Sequence, residues 1–347
     1  MRALAVAAAV AIGSTAVPAS VPASPVRPAL RRQVAAPEGE HPLERARRVA
    51  HQVPFSGTVV VTWTDGVREH RDELQVQAGG GAIIVDGRAD PVIEMQQRRL
   101  ARGHDDDWDL LWAPALGRPA TVPEVDSKYV TVTLDEHPVV AGRPTDVVEI
   151  RDDGRSRARL YLDQKTGLLL RRDQFDDSGV RERSVEFRAL TVDQGTPPLS
   201  VPPKASALLS GDDPSIRRVR TGRAPDVVGD GYTRLGVYRR GPVVQVHYSD
   251  GLYELSVFEQ SGRLDDDPLP GTGRRVRVGG QEARLYAWPG GHVLVWQAGP
   301  VVRTVVSDAP SGQILGAAQS LPGPGWGRPS LLDKIRRAGA ALVDPLS

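Results

Sequence analysis

A catalyst announces itself by a nucleophile, a base and an acid at a fixed spacing, and this chain has the residue types without the spacing. Seven histidines stand at His41, His51, His70, His104, His137, His247 and His292. None forms a His-Glu-x-x-His pair, which would set two imidazoles one helical turn apart on a zinc ion. A serine hydrolase needs Gly-x-Ser-x-Gly so that the serine stands on a strained strand-to-helix elbow, and no such run occurs. Gly79-Gly80-Gly81 lacks a following Lys-Ser/Thr and reads as a hairpin tip, not a phosphate cradle. Asp105-Asp106-Asp107 with Asp109, and Asp265-Asp266-Asp267, offer the oxygen ligands that Ca²⁺ takes, but neither has the EF-hand glycine and distal glutamate. Both lie between strands, where solvated acidic loops are ordinary. The chain has no cysteine, which removes disulfides, thiol catalysis and thiolate metal sites. The expectation is a protein that binds instead of catalysing, with no catalytic residue, no metal site and no cofactor.

What remains as candidate chemistry is apolar. Aromatic residues make up only 5% of the chain, so their grouping carries information. Trp63 shares a strand face with Val59 and Val61, because side chains alternate along a strand. Trp108, Leu111 and Trp112 cluster a little further on. These six positions are the candidate lining of an apolar cavity for an acyl chain or for an apolar segment of a partner. The same grouping also fits ordinary core, and sequence alone does not distinguish a filled interior from an empty one.

These residues must be positioned by strands. Leu43, Ala46, Val49, Ala50 and Val53 recur at helical spacing after Pro42 and predict one short helix. The texture then changes. Thr58–Trp63, Leu74–Gln77, Ala82–Val85, Trp108–Trp112 and Tyr129–Leu134 are β-branched and aromatic. Val147–Ile150, Ala158–Leu162, Leu168–Phe175 and Val180–Leu190 are joined by Asp152-Asp153-Gly154, Gln164-Lys165-Thr166-Gly167 and Asp176-Asp177-Ser178-Gly179. Loops this short cannot cross over a sheet, so these four strands form an antiparallel meander. A second series runs Thr233–Tyr238, Val243–Tyr248, Leu252–Glu259, Arg274–Val278, Glu282–Trp288 and His292–Gln297. Pro300–Ser307 finishes it, and Ser311–Ala318 follows as a helix. Ser330–Leu342 has a Ser cap and an apolar face of Leu331, Leu332, Ile335, Ala338, Ala341 and Leu342, an amphipathic helix.

Met1-Arg2, the uncharged run Ala3–Val17 and the small residues around Val21-Pro22-Ala23 have the three-part layout of a secretory signal. The expected organisation is a signal peptide over 1–23, a disordered linker over 24–41, a first domain over 42–195 and an interdomain linker over 196–224. A second domain over 225–322 and a tail over 323–347 complete it. The protein is thus expected outside the cytoplasm, in the periplasm or cell envelope. Charge is balanced, 44 Lys+Arg against 43 Asp+Glu, with no basic stripe interleaved with aromatics, which argues against nucleic acid as a partner.

Three segments resemble the MucB/RseB family, the exported negative regulators of envelope-stress sigma-factor signalling. They are Pro54-Phe55-Ser56-Gly57-Thr58-Val59-Val60-Val61, then Val140–Ile150 followed by Arg159–Arg172 with its strand-Asp-x-x-Thr-x-Leu turn, and Gly229–Tyr232 followed by His247–Phe258 with its Tyr-Ser-Asp-Gly-Leu hairpin. The resemblance spans about Leu43 to Leu321 in order. It implies an α+β fold: an N-terminal domain like the lipoprotein carrier LolA, a half-closed antiparallel sheet with covering helices, and a smaller C-terminal α/β domain of mainly antiparallel strands. It implies as partner the external part of a membrane anti-sigma factor, shielded from proteolysis until a lipid signal releases it. It fixes no contact residues, and the tail after Pro322 lies beyond the family core. A LolA-type lipid or lipoprotein carrier is the alternative.

Overall fold

Leu43 and Ala46 stand one turn apart, so a helix that starts at Pro42 buries both. The computed structural model shows this helix as α1 (Pro42–Val49), with Leu43 and Ala46 buried. Proline costs nothing in the first turn, where its missing N–H would be unsatisfied anyway, and Glu44 there favours the helix dipole. Arg45 ties the helix to the first sheet through Asp146, 2.9 Å away. The structure describes residues 41–49, 53–79, 82–86, 101–102, 128–192, 216–219, 224–240, 243–264 and 273–326. All belong to the unit Gly39–Ser347.

Ten strands follow α1 before residue 193: β1 (Phe55–Thr64), β2 (Glu69–Gly79), β3 (Ala82–Asp86), β4 (Ala101–Arg102), β5 (Val130–Leu134), β6 (Val139–Val140), β7 (Arg143–Asp152), β8 (Arg155–Asp163), β9 (Leu169–Phe175) and β10 (Arg181–Val192). Nine of them form one antiparallel sheet in the order β3-β2-β1-β10-β9-β8-β7-β5, with β6 paired to β7. The meander expected from the turns is β7 to β10. Its first turn is a two-residue Asp153-Gly154 hairpin with φ of 48° and 75°, the twist that a tight hairpin between right-twisted strands demands.

The Asp-x-x-Thr turn between β8 and β9 has a specific cause. The buried carboxylate of Asp163 accepts the Thr166 amide at 2.9 Å and the Thr166 hydroxyl, and also takes Arg143 NH2 at 2.7 Å. Burial pushes this carboxyl up, but the Arg143 and Thr166 hydrogen bonds outweigh it and hold its pKa below the ordinary value. At the next turn Asp176 Oδ1 accepts the amides of Ser178 and Val180, each at 2.9 Å. Gly179 follows at φ 83°.

The second sheet contains β11 (Ile216–Arg218), β12 (Val227–Val228), β13 (Tyr232–Arg240), β14 (Val243–Ser249), β15 (Glu254–Ser261), β17 (Arg274–Val278), β18 (Gln281–Trp288), β19 (Gly291–Ala298) and β20 (Val301–Ser307). Its order is β11-β13-β14-β15-β20-β19-β18-β17, with β12 paired to β13, and every pairing is antiparallel. The stretch 196–224, expected as a connection, therefore contributes the strand β11. A short β16 (Arg263–Leu264) leaves this series and pairs with β4. The β18–β19 turn requires glycine, since a Cβ on Gly291 would lie 2.2 Å from the Ser307 carbonyl oxygen. The helix α2 (Ser311–Ser320) buries Ile314, Ala317 and Ala318. Beyond it Glu259 accepts the Trp326 amide at 2.8 Å, and Arg303, bonded to Glu259 at 2.7 Å, lies 4.6 Å from the Trp326 ring centre.

One apolar cluster runs from α1 through Val148, Ile150, Leu160 and Leu162 of the first sheet into Leu255, Val257, Leu285 and Val305 of the second, and on to α2. The described chain is thus mostly antiparallel sheet with two helices. The strand expected at Trp108–Trp112, the helix at Ser330–Leu342 and the acidic clusters Asp105–Asp109 and Asp265–Asp267 lie outside the described residues.

Two outcomes follow. Space around Gly179 is open, so Gly179→Val tests backbone strain alone. It should lower unfolding free energy by about 1–3 kcal/mol in urea titration, through the forced positive φ. Asp163 has a depressed folded pKa, so its contribution is present above the unfolded value of about 3.9 and is lost as pH falls through the folded one. The stability gap between wild type and Asp163→Asn should therefore shrink as pH drops below about 4, read from melting curves across that range.

Candidate functional site

Register lays out the chemistry of one face of the first sheet. Reading across the strands, Val61 lies opposite Val185, Val185 opposite Arg172, Arg172 opposite Leu160, and Leu160 opposite Val148. The adjacent row runs Trp63, Arg183, Gln174, Ala158, Ile150. Residues directly opposite one another project to the same side. Each row is apolar at its ends; the first turns polar at Arg172 on β9, the second at Arg183 on β10 and Gln174 on β9.

The end at β1 holds the residues predicted for a cavity. Val59, Val61 and Trp63 are brought together in a cluster with Phe55, Leu74, Val76, Val185 and Phe187, and all three are buried. Phe55 and Phe187 meet edge to face at 5.6 Å. Trp63 stacks on His70 with ring centres 5.4 Å apart. His70 Nε2 lies 2.8 Å from Asp65 Oδ2. That hydrogen bond, helped by the Val67 and Arg68 amides, holds the Asp65 carboxyl down at about 2. Trp108, Leu111 and Trp112 lie outside the described residues.

The polar centre of the face is where the second sheet sits. Arg172 donates to the Leu252 carbonyl at 3.0 Å and lies 3.3 Å from Asp308 Oδ2. Gln174 Nε2 donates to the Asp308 carbonyl at 3.0 Å. Arg183 donates from Nε to the Pro289 carbonyl at 2.7 Å and from NH1 to Gln174 Oε1 at 2.8 Å. All of these side chains are nearly out of solvent, and burial is the largest influence on Arg183 and Asp308. It pulls the Arg183 guanidinium down to about 10 against the attraction of Asp308. It pushes the Asp308 carboxyl up against the pull of Arg172. His292, whose ring contacts the Ala309 carbonyl at 3.0 Å, is driven toward neutrality by burial despite Glu182 at 3.5 Å.

A second point of attachment uses the Tyr-Ser-Asp-Gly-Leu hairpin. Asp250 Oδ1 accepts the amides of Leu252 and Tyr253 at 3.0 and 2.8 Å, which fixes the turn. Its Oδ2 accepts the hydroxyl of Tyr129, at the start of β5, at 2.5 Å. Lys128 Nζ is 3.6 Å from the same oxygen. Tyr253 in turn donates to the Arg157 carbonyl at 2.9 Å. Burial pushes the Tyr129 and Tyr253 phenols far above their usual range, so both remain donors. This arrangement holds two sheets in one relation, with Trp63 and Val61 directly beside the join. Among the described residues no three His, Asp or Glu side chains gather as metal ligands.

Residues 101–205, which contain β4 to β10, match the family model described as the MucB/RseB N-terminal domain. Over this stretch the chain is similar to the MucB/RseB family. The matched segment carries Arg172, Gln174 and Arg183, and therefore the polar half of the join. The crystal structure of MucB is similar at 21% identity and a TM-score of 0.45, covering 82% of this chain and 97% of that one. MucB in complex with MucA(peri) is similar at 20% identity, a TM-score of 0.42 and 82% and 98% coverage. The MucA/MucB complex of Pseudomonas aeruginosa is similar at 22% identity, a TM-score of 0.43 and the same coverage. No curated protein sequence matches the chain significantly.

Sequence reasoning put Val59, Val61 and Trp63 on one strand face, where the structure buries them together, and it missed Arg172, Gln174, Arg183, Tyr129, Asp250 and Asp308. One signal was present. Arg171-Arg172-Asp173-Gln174 puts polar residues on both faces of β9, which is foreign to a strand with one face in a core.

The join is testable. Asp308→Ala leaves Arg172 buried without its carboxylate and should cost about 3–5 kcal/mol. Arg172→Met combined with Asp308→Ala should cost clearly less than the two single losses added together. Additive losses in chemical denaturation would show that the pair is not coupled.

Proposed function

We propose that this protein is an extracytoplasmic negative regulator of sigma-factor signalling that binds the external segment of a membrane anti-sigma factor. The observation that carries the reading is the MucB/RseB N-terminal domain match over residues 101–205, on a sheet that carries a second sheet seated on its face. MucB itself is solved with MucA(peri). On this reading the first sheet is the LolA-like domain, spanning 42–195, and the second sheet with α2 is the smaller C-terminal domain of 225–322. Residues 1–23 act as the export signal, and the protein works in the periplasm or cell envelope. A regulator of this kind needs a rigid relation between its modules, because a partner that touches both is bound without first ordering them. The buried Arg172–Asp308 and Tyr129–Asp250 contacts supply that rigidity.

Lipid sensing belongs to the same proposal. Val59, Val61 and Trp63, with Trp108, Leu111 and Trp112, would form its apolar lining. The observation that favours it is the continuous apolar row along β1, ending at Trp63 beside the join. A lipid or lipoprotein carrier of the cell envelope would use the same residues, but it has no need of a second module locked onto the first.

The test is capture from detergent-solubilised membranes of the source organism with the protein lacking residues 1–23. Recovery of a single-pass membrane protein whose cytoplasmic part binds a sigma factor is the expected result. Recovery of no such protein overturns the regulatory reading. Native mass spectrometry with extracted lipids separates the alternatives. A carrier retains lipid without any protein partner, whereas a lipid-sensing regulator loses its partner when lipid is added.

A further inference from the structure

β17 forms one end of the second sheet, so among the described residues its outer row of backbone N–H and C=O groups has no strand beside it. An open edge of this kind can accept a further strand, and charged side chains there normally keep copies of a protein apart. The charges on β17 go further than that. Arg274, Arg275 and Arg277 are all exposed. Arg275 lies directly opposite Arg284 of β18, and Arg277 directly opposite Glu282. Arg275 and Arg284 thus face each other on one side of the sheet, a like-charge cross-strand pair that is destabilising. The single Glu282 is shared between them, at 3.6 Å from Arg275 Nε and 4.0 Å from Arg284 NH2. Three guanidiniums therefore stand on this face with one carboxylate. The opposite side of β17 is anchored, with Val278 buried and Val276 packed on the core, so the strand is held in place with its positive side outward.

We propose that β17 is a docking edge for an extended acidic protein segment, which adds to the second sheet as a further strand. Its backbone would take up the open hydrogen-bonding row of β17. Side chains alternate along a strand, so carboxylates two residues apart in the incoming segment would project to the side of Arg275 and Arg277. The ligand chemistry is thus an extended sequence with Asp or Glu at alternate positions and β-branched residues between them. This is strand addition with charge-assisted specificity. It does not depend on the anti-sigma reading, since it requires only that the edge be open.

The test uses the full chain and three fluorescent peptides of seven residues: one alternating Asp/Glu with Val, its Asn/Gln counterpart, and the acidic peptide N-methylated at alternate positions. Fluorescence anisotropy at low salt should show the acidic peptide binding at least tenfold more tightly than the other two. Arg275→Glu combined with Arg277→Glu should abolish that preference while keeping the melting temperature within a few degrees, because the new carboxylate opposite Arg284 offsets the one opposite Glu282. Equal binding of the acidic and Asn/Gln peptides would overturn the charge argument. Equal binding of the N-methylated peptide would overturn strand addition. Binding that emerges only when Asp265, Asp266 and Asp267 are changed to Asn would also overturn the proposal, by showing the edge to be occupied from within the chain.

Discussion

The constraint on which the rest of the structure depends is the burial of two arginines in the middle of an apolar face. Arg172 and Arg183 project from β9 and β10 between rows of valine, leucine and isoleucine. A guanidinium removed from water costs several kcal/mol unless oxygen acceptors replace the lost hydration. Among the described residues the first sheet supplies Gln174 Oε1 for this purpose. The remaining acceptors, the carbonyls of Leu252 and Pro289 and the carboxylate of Asp308, all come from the second sheet. The face is therefore not stable as an isolated surface, and the two sheets complete each other electrostatically as well as by apolar packing.

This explains why two of the acceptors are backbone carbonyls at turns. Leu252 lies in the β14–β15 hairpin, Pro289 in the β18–β19 turn, and Asp308 just past β20. Turn carbonyls are free of ladder hydrogen bonds, so they can point at a guanidinium without breaking a sheet. The conformations of those turns are fixed independently. Asp250 binds the amides of its own hairpin, and Gly291 admits the close approach of the Ser307 carbonyl. Turn geometry and arginine placement thus have to agree, and a flexible turn would leave the arginines partly uncompensated. The cost of that mismatch favours one relative arrangement of the sheets over a range of them.

How much of this was legible in the sequence follows from the distance over which each contact acts. Hairpins were legible because Asp153-Gly154, Asp176–Gly179 and Gly290-Gly291 carry their own backbone requirements. Helix α1 was legible from Leu43 and Ala46. The pairing of β1 with β10 was not, since Val59 meets Phe187 more than a hundred residues away and no local signal records it. The same holds for β15 with β20. Residues Ile216–Arg218 looked like linker because three residues carry no periodicity; only the partner β13 makes them a strand. The shared face of Val59, Val61 and Trp63 was legible because alternation alone predicts it. Arg172 and Arg183 were not, because an arginine in a strand is ordinarily on the solvent side, and only the second sheet reverses that.

The two modules handle positive charge in opposite ways. In the join Arg172 and Arg183 each reach acceptors on the second sheet, and the result is rigidity. Along β17 Arg275 and Arg284 face one another across the ladder with Glu282 divided between them, and the surplus points outward. A strand that served only as an inert boundary would be stabilised by placing a carboxylate opposite each arginine, as Glu282 is placed opposite Arg277. The Arg275–Arg284 pair forgoes that stabilisation in the part of the second sheet farthest along the ladder from β11. The distribution of unmatched charge, more than its amount, separates the surface that holds this molecule together from the one that remains available to another.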